Sequence, residues 1–330
     1  MANVINLTDF GLKTSNTAAQ NDTAIASAIT TINNRNGGVI VLPVGTFLIS
    51  SPVVIPVNTS FIGHGSFWSL LKADTGAELT GGMIQINGEY GASRYGHRIE
   101  NIGLYGNDLA ATGIKLFYAV YTNVFKNLYI KNFALHGIYA PCDTVVGRLD
   151  QGSWGNTIEN CFIYKCGRGI ELGTSGNETH ILTSTIAEST KAGLYASTCT
   201  ALDIRGSLFE KNGSNADEPY GVVLNGCMAS SFSGCYFEGN GVENVGGSHI
   251  YTDESYWNGV ERTTCDGSIL SGCYFQGIDT YTTNAFNVGA GEITIFGGYS
   301  NRHFGKTIVL REGGTVNRYG FVSADSEGIL

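Results

Sequence analysis

SGCYFEGN occupies residues 233–240 and SGCYFQGI residues 271–278, so one phrase is written twice, 38 residues apart, with Glu238 exchanged for Gln276. Near-copies at such a spacing point to stacked units, because periods of about 20–50 residues mark solenoids, propellers and arrays. Within the phrase Cys235 and Phe237 alternate with Tyr236 and Glu238. That is the period-two pattern of a strand with one buried face.

Sliding the phrase along the chain finds weaker copies: IENIGLYG, FKNLYIKN, IENCFIYKC, LTSTIAES, IRGSLFEKN and IFGGYSNRH. Most precede a Gly-containing turn and a short second strand, as in GIKLF, HGIYA, RGIEL, AGLYA and YGVVL. The residue after the second inward position gives the markers Tyr105, Lys131, Tyr164, Ala187, Glu210, Glu238, Gln276 and Asn301, in steps of 26, 33, 23, 23, 28, 38 and 25 residues. A minimum near 23 with occasional insertions describes a coil of constant cross-section that sprouts loops. Propeller blades need about 40–50 residues each, and a TIM barrel needs eight helices. The expected fold is therefore all-β: a single-stranded right-handed parallel β-helix, with strands of successive coils about 4.8 Å apart. Cys161, Ser184, Ser207, Cys235 and Cys273 are expected to stack as one inward ladder.

Composition agrees. Gly supplies 46 of 330 residues and charged residues only 14%, as expected of a long β structure with many tight turns. The formal net charge of −9 argues against nucleic acid as a partner, since phosphate recognition needs a basic face. No uncharged apolar run is long enough to span a bilayer, so no membrane insertion is expected. The N-terminal MANVINLTDFG shows no secretory pattern. The eight cysteines lack paired C-x-x-C spacings and read as reduced, buried small hydrophobes of a chain made in a bacterial cytoplasm.

A single amphipathic helix is expected near residues 22–34: Ile25, Ala28, Ile29 and Ile32 recur at helical spacing, Asn21 or Asp22 is the expected N-cap, and Asn36-Gly37-Gly38 ends it. The organisation expected is an N-terminal strand and capping helix over 1–36, a β-helix over 37–310 and a C-terminal strand or tail over 311–330. Asp9-Phe10-Gly11, Asn21-Asp22-Thr23-Ala24-Ile25, GGVIVLPVGTF (37–47) and IGHG (62–65) together resemble the start of pectate-lyase-superfamily β-helices, and most closely those of bacteriophage tailspikes and related appendages. One departure is TSNTAAQ, which stands where that family usually has Gly-Asp-Gly. The resemblance implies a helix that caps the open end of the solenoid, a bacterial polysaccharide as partner, a homotrimer and a place in the virion tail or outside the cell.

Chemistry is expected at insertions, because loops on one face of a solenoid carry binding. One insertion, PCDTVVGRLDQGSWGN, brings Asp143, Arg148, Asp150 and Trp154, and KNGSNADEP follows a later coil. A third brings Asp253, Glu254, Tyr256, Trp257, Glu261 and Arg262. Aromatic faces beside carboxylates and Arg suit a sugar polymer; the competing reading is that they pack their own long loops or a neighbouring subunit. Glu210 and Glu238 hold one outward register position on successive coils. They are the candidate catalytic pair of a glycoside hydrolase, whose carboxyls lie about 5–9.5 Å apart. Gln276 would continue the row as a sugar contact. The candidate substrate-binding set is Trp257, Trp154, Tyr236, Gln276, Arg148, Asp253 and Glu254, bordering the Glu pair. The competing reading of the pair is a solvated face neutralised by Lys211 or Lys165. No metal ligands and no cofactor are assigned. Calcium would join only for a polysaccharide lyase, with Asp253, Glu254 and Asp266 as ligands and Arg262 as base. A non-catalytic carbohydrate- or receptor-binding spike is the third alternative.

Overall fold

The computed structural model describes residues 3–323, excepting 76, 78, 80, 89–93, 118–119, 142–151, 174–175, 243–246, 258–260, 278–283, 290 and 302–306. The repeated phrase explains itself at its glycine. Strand Ser231–Ser233 ends at Gly234, whose φ of +58° turns the chain through one left-handed residue before strand Tyr236–Glu238 begins. The same corner recurs at Asn101, Asn127, Asn160, Thr183, Gly206, Gly272, Gly297 and Gly320, all with positive φ. Gly and Asn dominate because they reach this region at least steric cost. Where Asn occupies it, the side chains stack: Asn160 Nδ2 donates to Asn127 Oδ1 at 2.7 Å, and Asn127 Nδ2 to Asn101 Oδ1 at 2.8 Å.

The coils build three strand faces, two coils add a short fourth strand in which Arg94–Tyr95 pairs with Val120–Tyr121, and every described pairing between coils is parallel. The first face is a 12-stranded sheet that begins with Val4–Asn6 and closes with Gly314–Tyr319. The second face holds the phrase strands, such as Leu208–Glu210, Tyr236–Glu238 and Tyr274–Gln276. The third holds strands such as Tyr220–Asn225 and Ser248–Asp253. Two strands, Tyr129–Ala140 and Phe162–Leu172, run through both of these faces, which therefore join as one 19-stranded sheet. The fold is the expected parallel β-helix.

The core is a set of stacked columns. On the second face Leu71, Leu104, Ile130, Ile163, Ile186, Phe209, Phe237 and Phe275 are all fully buried. Phe237 stacks between Phe209 and Phe275 at centroid distances of 5.2 and 4.8 Å. At the glycine corner Cys161, Ser184, Ser207, Cys235 and Cys273 form the expected buried ladder. There Ser184 Oγ accepts from the Cys161 amide at 3.1 Å and Ser207 Oγ from the Ser184 amide at 3.2 Å, while the Cys235 thiol donates to the Ile204 carbonyl at 3.5 Å and the Cys273 thiol to the Phe232 carbonyl at 3.6 Å. The seven described cysteines are unpaired and buried, and Cys142 lies outside the described residues. Burial pushes the thiols of Cys161, Cys166 and Cys265 up to about 12.

The helix spans Ala18–Asn34, and its N-cap differs from the expectation. Thr17 caps it in a capping box with Gln20, four residues before Asn21. Asn21 and Asp22 instead tie the helix to the first coil. Asn21 Nδ2 donates to the Leu48 carbonyl at 3.0 Å, and Asp22 accepts from the Ser50 amide and hydroxyl at distances down to 2.6 Å. Ala24, Ile25, Ala28 and Ile32 are buried, so the helix covers strand edges that an uncapped solenoid would expose.

Candidate functional site

Register pairing places every marker of the sequence reading in one outward column of the second face. Lys72, Tyr105, Lys131, Tyr164, Ala187, Glu210, Glu238, Gln276 and Asn301 are successive Cα partners. Glu210 and Glu238 therefore sit on adjacent rungs, their backbones about 4.8 Å apart. Lys211 Nζ lies 3.1 Å from Glu210 Oε1, so the neutralising pair weighed from sequence exists for this residue, whereas Lys165 pairs with Glu188 at 3.6 Å. Both pairs are substantially exposed and hold little energy individually.

Beside the pair runs a second outward column of tyrosines. Tyr236 stacks on Tyr274 at 5.1 Å and Tyr274 on Tyr299 at 5.5 Å. The Tyr236 hydroxyl donates to Gln276 Oε1 at 2.8 Å, and Asn301 Nδ2 donates to the Tyr274 oxygen at 3.3 Å. Burial first, and the Glu238 carboxylate second, push the Tyr236 phenol up to about 12, so it remains a donor at neutral pH. Gln276, in the place that Glu238 holds one rung earlier, thus accepts from this phenol without adding a charge. At the next corner a groove of about 570 Å³ opens, lined by Asp108, Lys165, Glu188, Thr190, Lys211 and Ser214. Lys211 links it to Glu210.

The loops expected to border the Glu pair lie elsewhere. Trp154 and the antiparallel hairpin of Ser255–Trp257 with Glu261–Thr263 both fall in the corner that follows the third face, with that face between them and the second. Trp154 packs on Tyr121 at 5.2 Å, and Tyr121 on Tyr95 at 5.3 Å, forming a separate aromatic row. Arg148, Asp143 and Asp150 lie outside the described residues, as do the side chains of Trp257, Tyr256, Glu261 and Arg262. The insertion at 211–219 leaves the marker strand itself and enters the corner beside Glu210. The chain order carried this signal: KNGSNADEP directly follows a marker strand, whereas PCDTVVGRLDQGSWGN and the stretch carrying Tyr256, Trp257, Glu261 and Arg262 follow the coil's second strand.

The third face holds residues the sequence reading passed over. Arg168 donates to both Glu218 carboxylate oxygens at 3.0 and 2.6 Å and to Glu171 Oε2 at 2.6 Å, and His136 Nε2 lies 2.8 Å from the same Glu171 oxygen. Burial opposes ionisation of Glu171, but hydrogen bonds from His136 and Arg168 win and hold its carboxyl below the usual value. Glu218 belongs to the 211–219 insertion, so this network pins that loop to the coil. Asp253 likewise accepts from Tyr251 at 2.8 Å and Arg311 at 3.0 Å, which overcome burial and lower its pKa. Its Oδ1 accepts from the Glu254 amide at 2.9 Å. Asp253 is thus engaged in a structural clamp, away from Glu210 and Glu238. Strict alternation would set Arg168 and Glu171, three residues apart, on opposite faces, so the sequence pattern carried no signal for this pair.

Asp266 accepts from Thr264 at 2.5 Å and from the Glu292 amide at 2.9 Å, turned to its own loop. Among the described residues no group of three or more His, Cys, Asp or Glu could hold a metal ion. No described helix is long and apolar enough to cross a membrane.

The chain belongs to the family described as the right-handed β-helix region, whose model matches residues 82–256. A second model, rhamnogalacturonase A/epimerase, pectate lyase-like, matches residues 4–92. No curated protein matches it in sequence. Among solved structures it is similar to ORF18 of Geobacillus virus E2, at TM-score 0.68 and 16% identity over 97% of this chain and 61% of that one. It is also similar to the gp42 tailspike of Acinetobacter phage vb_AbaP_AS12, at TM-score 0.69 and 13% identity over 99% and 65%. The catalytic unit of the GH87 α-1,3-glucanase of Streptomyces thermodiastaticus matches at TM-score 0.60 and 12% identity over 98% and 69%. The chain spans 61% of the length of the viral ORF18 protein.

Proposed function

We propose that this chain is a polysaccharide-degrading glycoside hydrolase of phage tailspike type that acts on a bacterial surface polysaccharide. The observation that carries the proposal is the pairing of Glu210 with Glu238 on adjacent rungs of an outward column, beside the Tyr236–Tyr274–Tyr299 row. Two carboxylates on adjacent rungs are the kind of pair that retaining and inverting hydrolysis both draw on, and this pairing supports the reading. Glu210, ion-paired with Lys211 as a carboxylate, is the base or nucleophile. Glu238 is the acid that protonates the leaving oxygen, and Gln276 with Tyr236 contacts the sugar hydroxyls. The likeness to tailspikes and to a glucanase supports the reading, and with it a homotrimer in a virion tail. End-group analysis of polysaccharide treated with the protein tests it: hydrolysis yields saturated reducing ends. Unsaturated, ultraviolet-absorbing ends would instead mark a lyase, and binding without any product would mark a non-catalytic spike.

A further inference from the structure

The marker column changes character along its length. Its C-terminal half carries Glu210, Glu238 and Gln276, but its N-terminal half carries Lys72, Tyr105, Lys131 and Tyr164. The ammonium groups of Lys72 and Lys131 lie over the Tyr105 ring, 5.1 and 4.5 Å from its centroid, and Lys131 is also 5.4 Å from the Tyr129 ring. Neither lysine has a carboxylate partner among the described residues, in a chain whose net charge is −9. Cation–π contact holds the two ammoniums in place and leaves their remaining hydrogen-bond donors directed outward.

Apolar rings adjoin them. Phe67 and Trp68 are 63% and 67% exposed. Phe67 reaches the Tyr129 ring at 4.7 Å, and Tyr129 stacks on Phe162 at 5.5 Å. Gly103 makes room for this approach: a Cβ there would lie 2.4 Å from the Ser66 carbonyl oxygen and 2.0 Å from Leu70 Cδ2. Exposed ring faces beside unpaired ammoniums match a polymer whose units offer both an apolar face and a negative charge.

We infer that the Lys72–Tyr105–Lys131 stripe with Phe67 and Trp68 is a docking surface for an anionic polysaccharide, one bearing uronate, sialate or similar carboxylate groups. The inference rests on the reading of the chain as a polysaccharide-acting protein and names its substrate class. Lys131 stands three rungs from Glu210 in the same column, about 14 Å at 4.8 Å per rung, so one strand lying along the solenoid passes both. A neutral glycan would gain only ordinary hydrogen bonds from the two ammoniums, without the charge-assisted increment that a carboxylate provides.

Equilibrium binding tests it on the full chain carrying Glu238→Gln. The probes are oligomers of galacturonate, mannuronate and N-acetylneuraminate, compared with maltooligosaccharides of equal length. At least one acidic oligomer binds and the neutral one does not. Lys72→Gln and Lys131→Gln each weaken acidic binding by about tenfold at low salt, the scale of one charge-assisted hydrogen bond. The loss shrinks in 1 M salt, where the Debye length falls to about 3 Å. Failure of all acidic oligomers to bind, equal binding of the neutral oligomer, or acidic binding untouched by the double lysine substitution would overturn the inference. So would concentration-dependent self-association that Lys131→Gln abolishes, since the stripe would then serve a second copy. If acidic oligomers bind through these lysines and no polysaccharide is ever cleaved, the hydrolase reading fails while this one stands.

Discussion

Truncating Phe237 to Ala removes the middle ring of the second-face core. Phe237 is fully buried, with Phe209 at 5.2 Å on one side and Phe275 at 4.8 Å on the other. Both neighbours are mounted on strands whose register to Phe237 is fixed by backbone ladders, so neither can collapse into the gap. Burying an aromatic ring and losing it to a cavity costs about 3–5 kcal/mol, the upper end applying where the site cannot relax. We therefore expect about 4 kcal/mol or more for Phe237→Ala, and less than about 2 kcal/mol for Phe237→Leu, which retains most of the volume. Phe296→Ala is the control, because Phe296 stacks on Tyr319 yet is 45% exposed; it should cost under about 1 kcal/mol. Urea unfolding followed by circular dichroism gives the totals. Amide exchange gives the location, since stacked arrays lose stability mainly to nearest neighbours. Exchange should quicken around 204–209, 232–237 and 270–275 and remain slow in the helix Ala18–Asn34. A total below about 1 kcal/mol, or equal quickening along the whole chain, would refute the stacked-column account.

Two further outcomes follow from the corners and the thiols. Gly234→Asn should be tolerated better than Gly234→Val, because φ is +58° there and Asn160 holds the equivalent corner at +51°; a β-branched residue should cost at least about 1–2 kcal/mol more in a thermal melt. All cysteines should titrate with a thiol reagent after denaturation without reductant, and react slowly before it. Because burial raises the folded-state values of Cys161, Cys166 and Cys265 from 9.0 to about 12, the native state keeps protons that the unfolded chain releases. Stability should be level below pH 9 and fall between pH 9 and 12, by up to about 1.4 kcal/mol per pH unit for each thiol. A stability rising through that window would contradict the buried assignment.

Much of the fold was legible because the phrase combines two independent signals. Alternation gives the strand, and a residue suited to positive φ just before it gives the corner. Together they set the register, which holds from Tyr105 to Asn301. The helix start was misplaced because Asn21 and Asp22 look like caps, while their side chains reach to Leu48 and Ser50. Those partners lie 27 and 28 residues away, beyond any local pattern. The capping box of Thr17 with Gln20 was present to be read. The candidate site was legible in its spine and not in its surroundings. A column is a property of one strand per coil, so Glu210, Glu238 and Gln276 could be aligned by hand. Which side of the solenoid a loop occupies depends on the corner it leaves from, and treating all insertions alike put Trp154 and the 255–263 hairpin beside the wrong face. The Arg168–Glu171–Glu218 network joins residues up to 50 apart whose pairing no short-range spacing encodes.

Kinetics of Glu210→Gln and Glu238→Gln on a polysaccharide that the wild-type chain depolymerises tests the central claim most directly. General acid–base groups contribute about 10²–10⁴-fold, so each substitution should lower kcat by at least about 10²-fold. Binding should hold, since Gln keeps the shape and most hydrogen bonds. Near-normal kcat in both variants, with the fold intact by circular dichroism, would contradict the paired-carboxylate site.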